Sequence, residues 1–203
     1  ITLDWNHPDM PILLFVGPLV NTRSPTSGRM TIMSRSPLTG AVGDSSVGGS
    51  LGFQLKKAGF DGIIITGRSD KLCGIEIKDN DIHICDASHL KGRKTGDVHS
   101  HLKGKGSTAV IGPAGENGVL FSSIIIDGHF AAGRSGIGLT FASKNLKYIT
   151  IQGAGKTNVF NPKVLRSDRE DVFRLTAASP ILLGKFGISR FGTGALYDLM
   201  DAS

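Results

Sequence analysis

The placement of glycine constrains this chain more than any other feature. Its 28 glycines in 203 residues gather in 40-GAVGDSSVGG-49, 112-GPAGENG-118 and 133-GRSGIG-138, each beside a short apolar run. Neither a collagen period nor a flexible linker has that distribution. Tight turns between strands do, and so do loops that let a ligand approach the backbone. Taken singly, each cluster reads as a turn; taken together, they leave a ligand-holding arrangement equally open. A chain of this length can bury a real core in one domain or two small ones.

The apolar runs read as strands. The segment 12-ILLFV-16 ends at Gly17-Pro18, and 29-RMTIMS-34 alternates as a second strand. After the glycine-rich 40–49 stretch, 50-SLGFQLKKA-58 places Leu51, Leu55 and Ala58 on one face of a short helix that Gly59 ends. Extended segments follow at 63-IIIT-66, 72-LCGIEIK-78 and 82-IHIC-85, the last two joined by the turn-prone 79-DND-81. A short helix over 95-TGDVHSHL-102 leads to strands at 108-TAVI-111 and 119-VLFSSIIID-127, a loop at 128–136, a helix near 137-IGLTFASKN-145 and a strand at 147-KYITIQ-152.

Both halves of this region contain a strand ending in Gly-Pro and an arginine beside glycine, in Ser27-Gly28-Arg29 and in Gly133-Arg134-Ser135. That is a weak internal repeat, compatible with two similar layers around one ligand or with duplicated structure alone. Beyond Gly153-Ala154-Gly155 the pattern turns helical, in 163-KVLRSDREDVFRLTAA-178 and 191-FGTGALYDLM-200. The expected organisation is a domain over 1–153 and a helical linker, or the start of a further domain, over 154–203.

Charge and composition exclude several classes. The formal charge of +6 is spread over short pairs such as Lys56-Lys57, Lys103 with Lys105, and Arg166 with Arg169, which read as solvated faces. With 6% aromatic residues, base-stacking platforms are lacking, and no nucleic-acid partner is expected. Cys73 and Cys85 form no CxxC pair and are too few for an all-cysteine iron–sulfur cluster. Two buried thiols in a reducing, cytoplasmic setting is the simpler reading, a single disulfide the alternative. No uninterrupted run of about 20 apolar residues suggests a membrane span. His99 and His101 cannot share an i,i+4 face, and His7, His83, His89 and His129 are scattered, so no metal ligand is named.

Two loops could supply anion-binding groups, or Arg29 could make only a surface ion pair and Gly48-Gly49 only turn the chain. Arg29 offers a rigid fork of donors, Ser45 and Ser46 offer hydroxyls, and Gly48-Gly49 precedes a helix start. Ala132, Gly133 and Arg134 make a second candidate wall, where small residues admit close backbone approach beside a positive charge. The run 133-GRSGIG-138 is neither a Walker A loop nor a dinucleotide fingerprint. Glu116-Asn117 reads as an exposed turn, and no Ser-His-Asp or Cys-His arrangement is recognisable.

The ordered series 17-GPL-19, 26-TSGRM-30, 36-SPLTGAVGDSSVGG-49, 58-AGFDGIIITG-67, 109-AVIGPAGEN-117, 131-AAGRSGIG-138 and 143-SKNLKYITI-151 resembles the N-terminal domain of aldehyde:ferredoxin oxidoreductases, and 190-RFGTGAL-196 resembles the bridge into the next domain. The resemblance implies an α+β fold with two antiparallel β-sheets related by internal duplication, forming a cofactor-binding saddle with short peripheral helices. It implies a tungsten or molybdenum bis-pterin and a [4Fe-4S] cluster in the complete enzyme, with the fragment itself not required to hold either. Arg29 matches the arginine between cofactor and cluster, Ser46 and Gly48 match one cofactor loop, and Ala132, Gly133 and Arg134 match the second. Ser46 stands where such proteins often carry asparagine, and Phe130 where some carry a basic residue. Implied partners are C-terminal domains of the same chain, ferredoxin or a dedicated electron-transfer subunit, and a second copy in a homodimer. The expected function is that of a cofactor-binding fragment of an aldehyde-oxidising enzyme, inactive alone; the alternative is a non-catalytic binding or cofactor-assembly module using the same saddle.

Overall fold

The computed structural model describes residues 2–197 and 201, and divides the chain into two compact units, Ile1–Asn158 and Val159–Ser203. In the first unit, alternation of apolar residues sets the opening strands. β1 (Ile12–Val16) buries Ile12 and Leu14, and β2 (Met30–Arg35) buries Met30, Ile32 and Ser34. β3 (Val42–Val47) turns Gly43, Ser45 and Val47 inward and Asp44 and Ser46 outward. It lies within the 40–49 stretch that carries no strand signal in sequence, because its Gly, Ser and Asp content has low strand propensity. Full-length pairing with β2 overrides that propensity.

Leu51 and Leu55 of α1 (Leu51–Lys57), with Ala58 just beyond it, are buried at the helical spacing expected. β4 (Gly62–Ile65) then completes an antiparallel sheet of order β3-β2-β1-β4.

The second sheet begins with a hairpin of β5 (Cys73–Lys78) and β6 (Asp81–Asp86), turning at the Asp-Asn-Asp sequence. A 3-10 turn at Ser88–Leu90 and α2 (Thr95–His101) lead to β7 (Ser107–Ile111), followed by the single turn α3 (Pro113–Glu116). β8 (Ile124–Ile126), β9 (Phe130–Ala132), α4 (Ile137–Ser143) and β10 (Leu146–Gln152) complete the unit. Only the end of the apolar 119–127 run is extended, and part of the expected 128–136 loop is the strand β9.

The strand order is β6-β5-β10-β7-β8-β9. The expectation of two antiparallel sheets holds for the four-stranded sheet and fails for this one. β10 pairs antiparallel with β7 but parallel with β5. The long excursion between β5 and β10 permits this, since parallel neighbours need a crossover that a hairpin cannot provide.

One core joins the two sheets. Ile12, Leu14 and Ile32 from the first, Ile111, Ile126 and Ile149 from the second, and Leu51, Leu55 and Phe141 from the helices all lie in it. Each such side chain contributes about 1.5–3 kcal/mol on burial. A smaller cluster of Leu90, Val98, Leu102, Val110 and Tyr148 packs beneath α2.

Several buried polar groups are matched, although Ser122 Oγ has no hydrogen-bond partner. Lys147 is fully buried, ion-paired with Glu116 and hydrogen-bonded to the Arg93 carbonyl, while the second Glu116 oxygen accepts from the Gly92 N–H at 2.7 Å. Glu116 is thus not part of an exposed turn, as sequence suggests: its side chain folds back under the sheet. Tyr148 Oη donates to Glu76 Oε1 at 2.8 Å, and Lys105 Nζ reaches the same oxygen at 2.6 Å. Burial opposes ionisation of Glu76, but the hydrogen bonds from Lys105 and Tyr148 and the Lys105 charge hold its carboxyl below the usual range.

The second unit contains α5 (Pro162–Ala178), α6 (Pro180–Leu183) and α7 (Ile188–Phe191), then a 3-10 turn at Gly192–Leu196. Asn161 caps α5 by accepting from the Val164 N–H at 3.2 Å, with Pro162 in the first turn. The helix expected over 191–200 is the end of α7 and this 3-10 turn, with 198–200 outside the described residues. No described helix is long and apolar enough to cross a membrane.

Glu116→Ala, which strands the Lys147 ammonium in the interior, is expected to cost about 3–5 kcal/mol in urea unfolding. The double change Glu116→Leu with Lys147→Met should recover most of that loss, because the uncompensated charge is removed. The lowered Glu76 carboxyl makes a separate prediction about pH. Its stabilising contribution is present above the unfolded-state value of about 4.3 and is lost as pH falls through the lower folded-state value. Glu76→Gln should therefore flatten the acid limb of stability against pH, while a limb of unchanged steepness would show that Glu76 does not carry it.

Candidate functional site

The pairing of β2 with β3 builds the first wall. Met30 lies opposite Val47 and Thr31 opposite Ser46, so Arg29 emerges beside the Ser46–Gly49 turn. Its Nε donates to Ser46 Oγ at 2.8 Å and its Nη2 to the Ser46 carbonyl at 2.7 Å. Two donors of the planar fork are thereby spent on fixing its orientation, with the side chain exposed. Ser46 accepts at Oγ and keeps its own O–H for a further partner. Ser45 faces the other way and is buried at 2% exposure. Asp44 shares the outward face with Ser46.

The second candidate wall lies alongside the first. A Cβ placed on Gly43 would fall 2.5 Å from Ser135 Cβ, and one on Gly48 would fall 3.4 Å from the Phe130 ring. The segments 43–48 and 130–135 therefore run side by side in opposite directions. Gly133 and Arg134 are exposed there, whereas Ala132 is fully buried and acts as packing. Phe130, 47% exposed, stands between the Gly48-Gly49 turn and solvent.

A residue that sequence reasoning missed fixes this juxtaposition. Asp127 Oδ2 accepts from the Ser50 N–H at 2.6 Å, while its Oδ1 accepts from the Thr108 N–H at 3.0 Å and from Ser107 Oγ. One carboxylate thus ties the turn before α1 to β7. Gly49, with φ at 97°, seats against Ile126 and Asp127, an approach and a conformation closed to other residues. The signal was present in sequence: Asp127-Gly128 after an apolar run is a hairpin-turn pair, and both residues have positive φ.

The donor set suits an anionic group. Arg29 and Arg134 are exposed cations, Ser46 retains a donor, and Gly133 leaves the backbone open. A bare metal ion is not what these residues suit. The described residues include no group of three or more His, Cys, Asp or Glu able to hold one. Cys73 and Cys85 are free; burial pushes the Cys73 thiol up, and Cys85 is only half-buried.

Residues 1–153 match the family described as aldehyde ferredoxin oxidoreductase, N-terminal domain. The chain belongs to that family. It is 38% identical to a tungsten-containing aldehyde ferredoxin oxidoreductase of Pyrococcus furiosus over 98% of this chain and 34% of the relative. An aliphatic sulfonate oxidoreductase WOR-like subunit of the same organism is 33% identical over 71% of this chain and 26% of its own length. Among solved structures, the active-site complex BamBC of benzoyl coenzyme A reductase, in complex with 1,5-dienoyl-CoA, superposes with a TM-score of 0.83 at 30% identity, covering 88% of this chain and 28% of that one. The chain thus spans about a third of the length of the aldehyde ferredoxin oxidoreductases it resembles.

Gly43→Val would drive a side chain into Ser135 and Ser36 at the contact between the two segments. It is expected to cost about 1–3 kcal/mol, with Ser135→Gly restoring part of the loss in denaturant unfolding. An unaltered midpoint would mean that the segments are not in contact.

Proposed function

We propose that this chain is one wall of the pterin site of a tungsten- or molybdenum-dependent oxidoreductase that, in the full-length protein, oxidises an aldehyde to a carboxylic acid and passes two electrons through a [4Fe-4S] cluster to ferredoxin. The observation carrying this reading is the adjacency of the two segments, 43–48 against 130–135, with the Arg29 guanidinium pre-oriented by Ser46 on the exposed side. Family membership and the oxidoreductase names of the relatives support it.

In this reading the face presented by Arg29, Ser46, Gly48, Gly49, Gly133 and Arg134 is the saddle. Arg29 and Arg134 supply positive charge for phosphate oxygens. The Ser46 hydroxyl donates a directed hydrogen bond, and Gly133 lets backbone amides come close to the ligand. Ser45 and Ala132, both buried, support this face from behind. When bound, the metal–pterin group supplies the oxygen-transfer and electron-transfer chemistry, and this chain's residues hold and orient it. Further domains of the same polypeptide supply the cluster ligands and the substrate cavity. The protein is cytoplasmic, and this chain alone does not turn over aldehyde, because catalysis needs substrate, cofactor and electron exit placed together.

The test is Arg29→Met in the full-length protein, which keeps much of the apolar stem and removes the charge and the directed donors. Pterin and metal content should fall several-fold while circular dichroism stays that of the wild type. Unchanged pterin and metal content in a folded variant would overturn the role given to Arg29.

A further inference from the structure

Away from that face, two histidines that sequence spacing keeps apart meet at the surface. His89 sits in the Ser88–Leu90 turn and His101 at the end of α2. Their Nε2 atoms are 3.3 Å apart, with the rings at 61° and centroids 5.1 Å apart, so that edges converge and faces do not stack. In the metal-free protein one ring can donate to the other across this distance. It equals the bite of two imidazoles on one tetrahedral ion: zinc–nitrogen bonds of about 2.0–2.1 Å at the tetrahedral angle put the nitrogens roughly 3.3–3.4 Å apart.

The positions are held from below. Leu90, Val98 and Leu102, next to the two histidines or one turn away, are buried at 5%, 0% and 1% exposure in the smaller core. Asp97, one helical turn before His101, lines the same depression together with Arg93. Asp86, whose carboxyl is held low first by its hydrogen bonds with Ser88, adds a second carboxylate on the His89 side. Asp97 thus offsets the one arginine lining the depression.

We propose that His89 and His101 form a two-imidazole site for a tetrahedral divalent transition metal of the zinc type, which clips the Ser88–Leu90 turn to α2. Both nitrogens facing the metal are Nε2, so each ring carries its proton on Nδ1, and no proton need be lost from a neutral pair. Water completes the coordination shell, and Asp97 and Asp86 contribute charge without direct ligation. This site is independent of the pterin face and of the reading given to it.

Zinc titration of the untagged protein, followed by calorimetry and by the visible spectrum of the cobalt-substituted form, tests the site. Saturable binding of one ion per chain is expected, with a tetrahedral cobalt spectrum and a raised thermal midpoint. His89→Gln and His101→Gln should each weaken binding by more than the roughly 10-fold that a lost outer-shell partner costs. His129→Gln should leave it unchanged, and acidification should abolish it because protons compete for the imidazole nitrogens. Imidazole nitrogen-15 shifts on the wild-type protein give a reading free of any folding defect, with zinc expected to move both Nε2 resonances. Absence of saturable binding, binding that survives in either single variant, or zinc-induced shifts at only one ring would overturn the proposal.

Discussion

The Asp127 carboxylate is the interaction on which the arrangement of the first unit rests. It sits where the β8–β9 hairpin turns, at a φ of 50°, and receives hydrogen bonds from Ser50, Ser107 and Thr108. Ser50 opens α1, and α1 packs between the two sheets through Leu51 and Leu55. A bond to that N–H therefore sets where the helix begins relative to β7 and β8. Backbone N–H groups at a helix start need an acceptor, and a carboxylate is the strongest one available to them. The same bond brings the Gly48-Gly49 turn against Phe130, so a structural requirement of the fold produces the adjacency from which the candidate site is made.

This explains which parts of the site could be read from the chain. Arg29, Ser46, Gly133 and Arg134 are candidates by residue type, and the structure leaves all four exposed. Ser45 and Ser46 look equivalent in sequence and are not. Strand alternation sends one inward and the other outward, and that alternation was invisible because β3 carries β-branched residues only at its ends, Val42 and Val47, with Gly, Asp and Ser between them. Ala132 is similar: a small residue that admits a ligand and a small residue that packs in a core are the same letter. The hydrogen bonds from Arg29 to Ser46 required the register of β2 and β3 before they could be anticipated.

At the level of the fold, periodic segments were legible and non-local pairing was not. The strands at 12–16 and 147–152, and the helix bearing Leu51 and Leu55, follow from apolar spacing that local physics enforces. The parallel pairing of β10 with β5 has no local signature. It depends on where the chain returns after the long connection through α2, β7 and β8. The Lys147–Glu116 pair has the same origin. A lysine between two apolar residues reads as a solvent-facing strand position, yet a β-bulge between Leu146 and Tyr148 and a glutamate from a distant turn make full burial tenable.

The region this chain shares with its relatives carries little information about what each of them acts on. The relatives matched by this region are named for aldehydes, for aliphatic sulfonates and for a coenzyme A thioester system, at identities of 38%, 33% and 30%. Those substrates differ in charge, size and functional group. A backbone superposing at a TM-score of 0.83 on the last of them cannot itself be the source of the distinction. Arginine forks, a serine hydroxyl and open glycine backbone suit an anionic group whatever reacts beside it. On the function proposed above, substrate choice falls to side chains lining the reacting centre, and this chain acts on it only through the position in which it holds the cofactor.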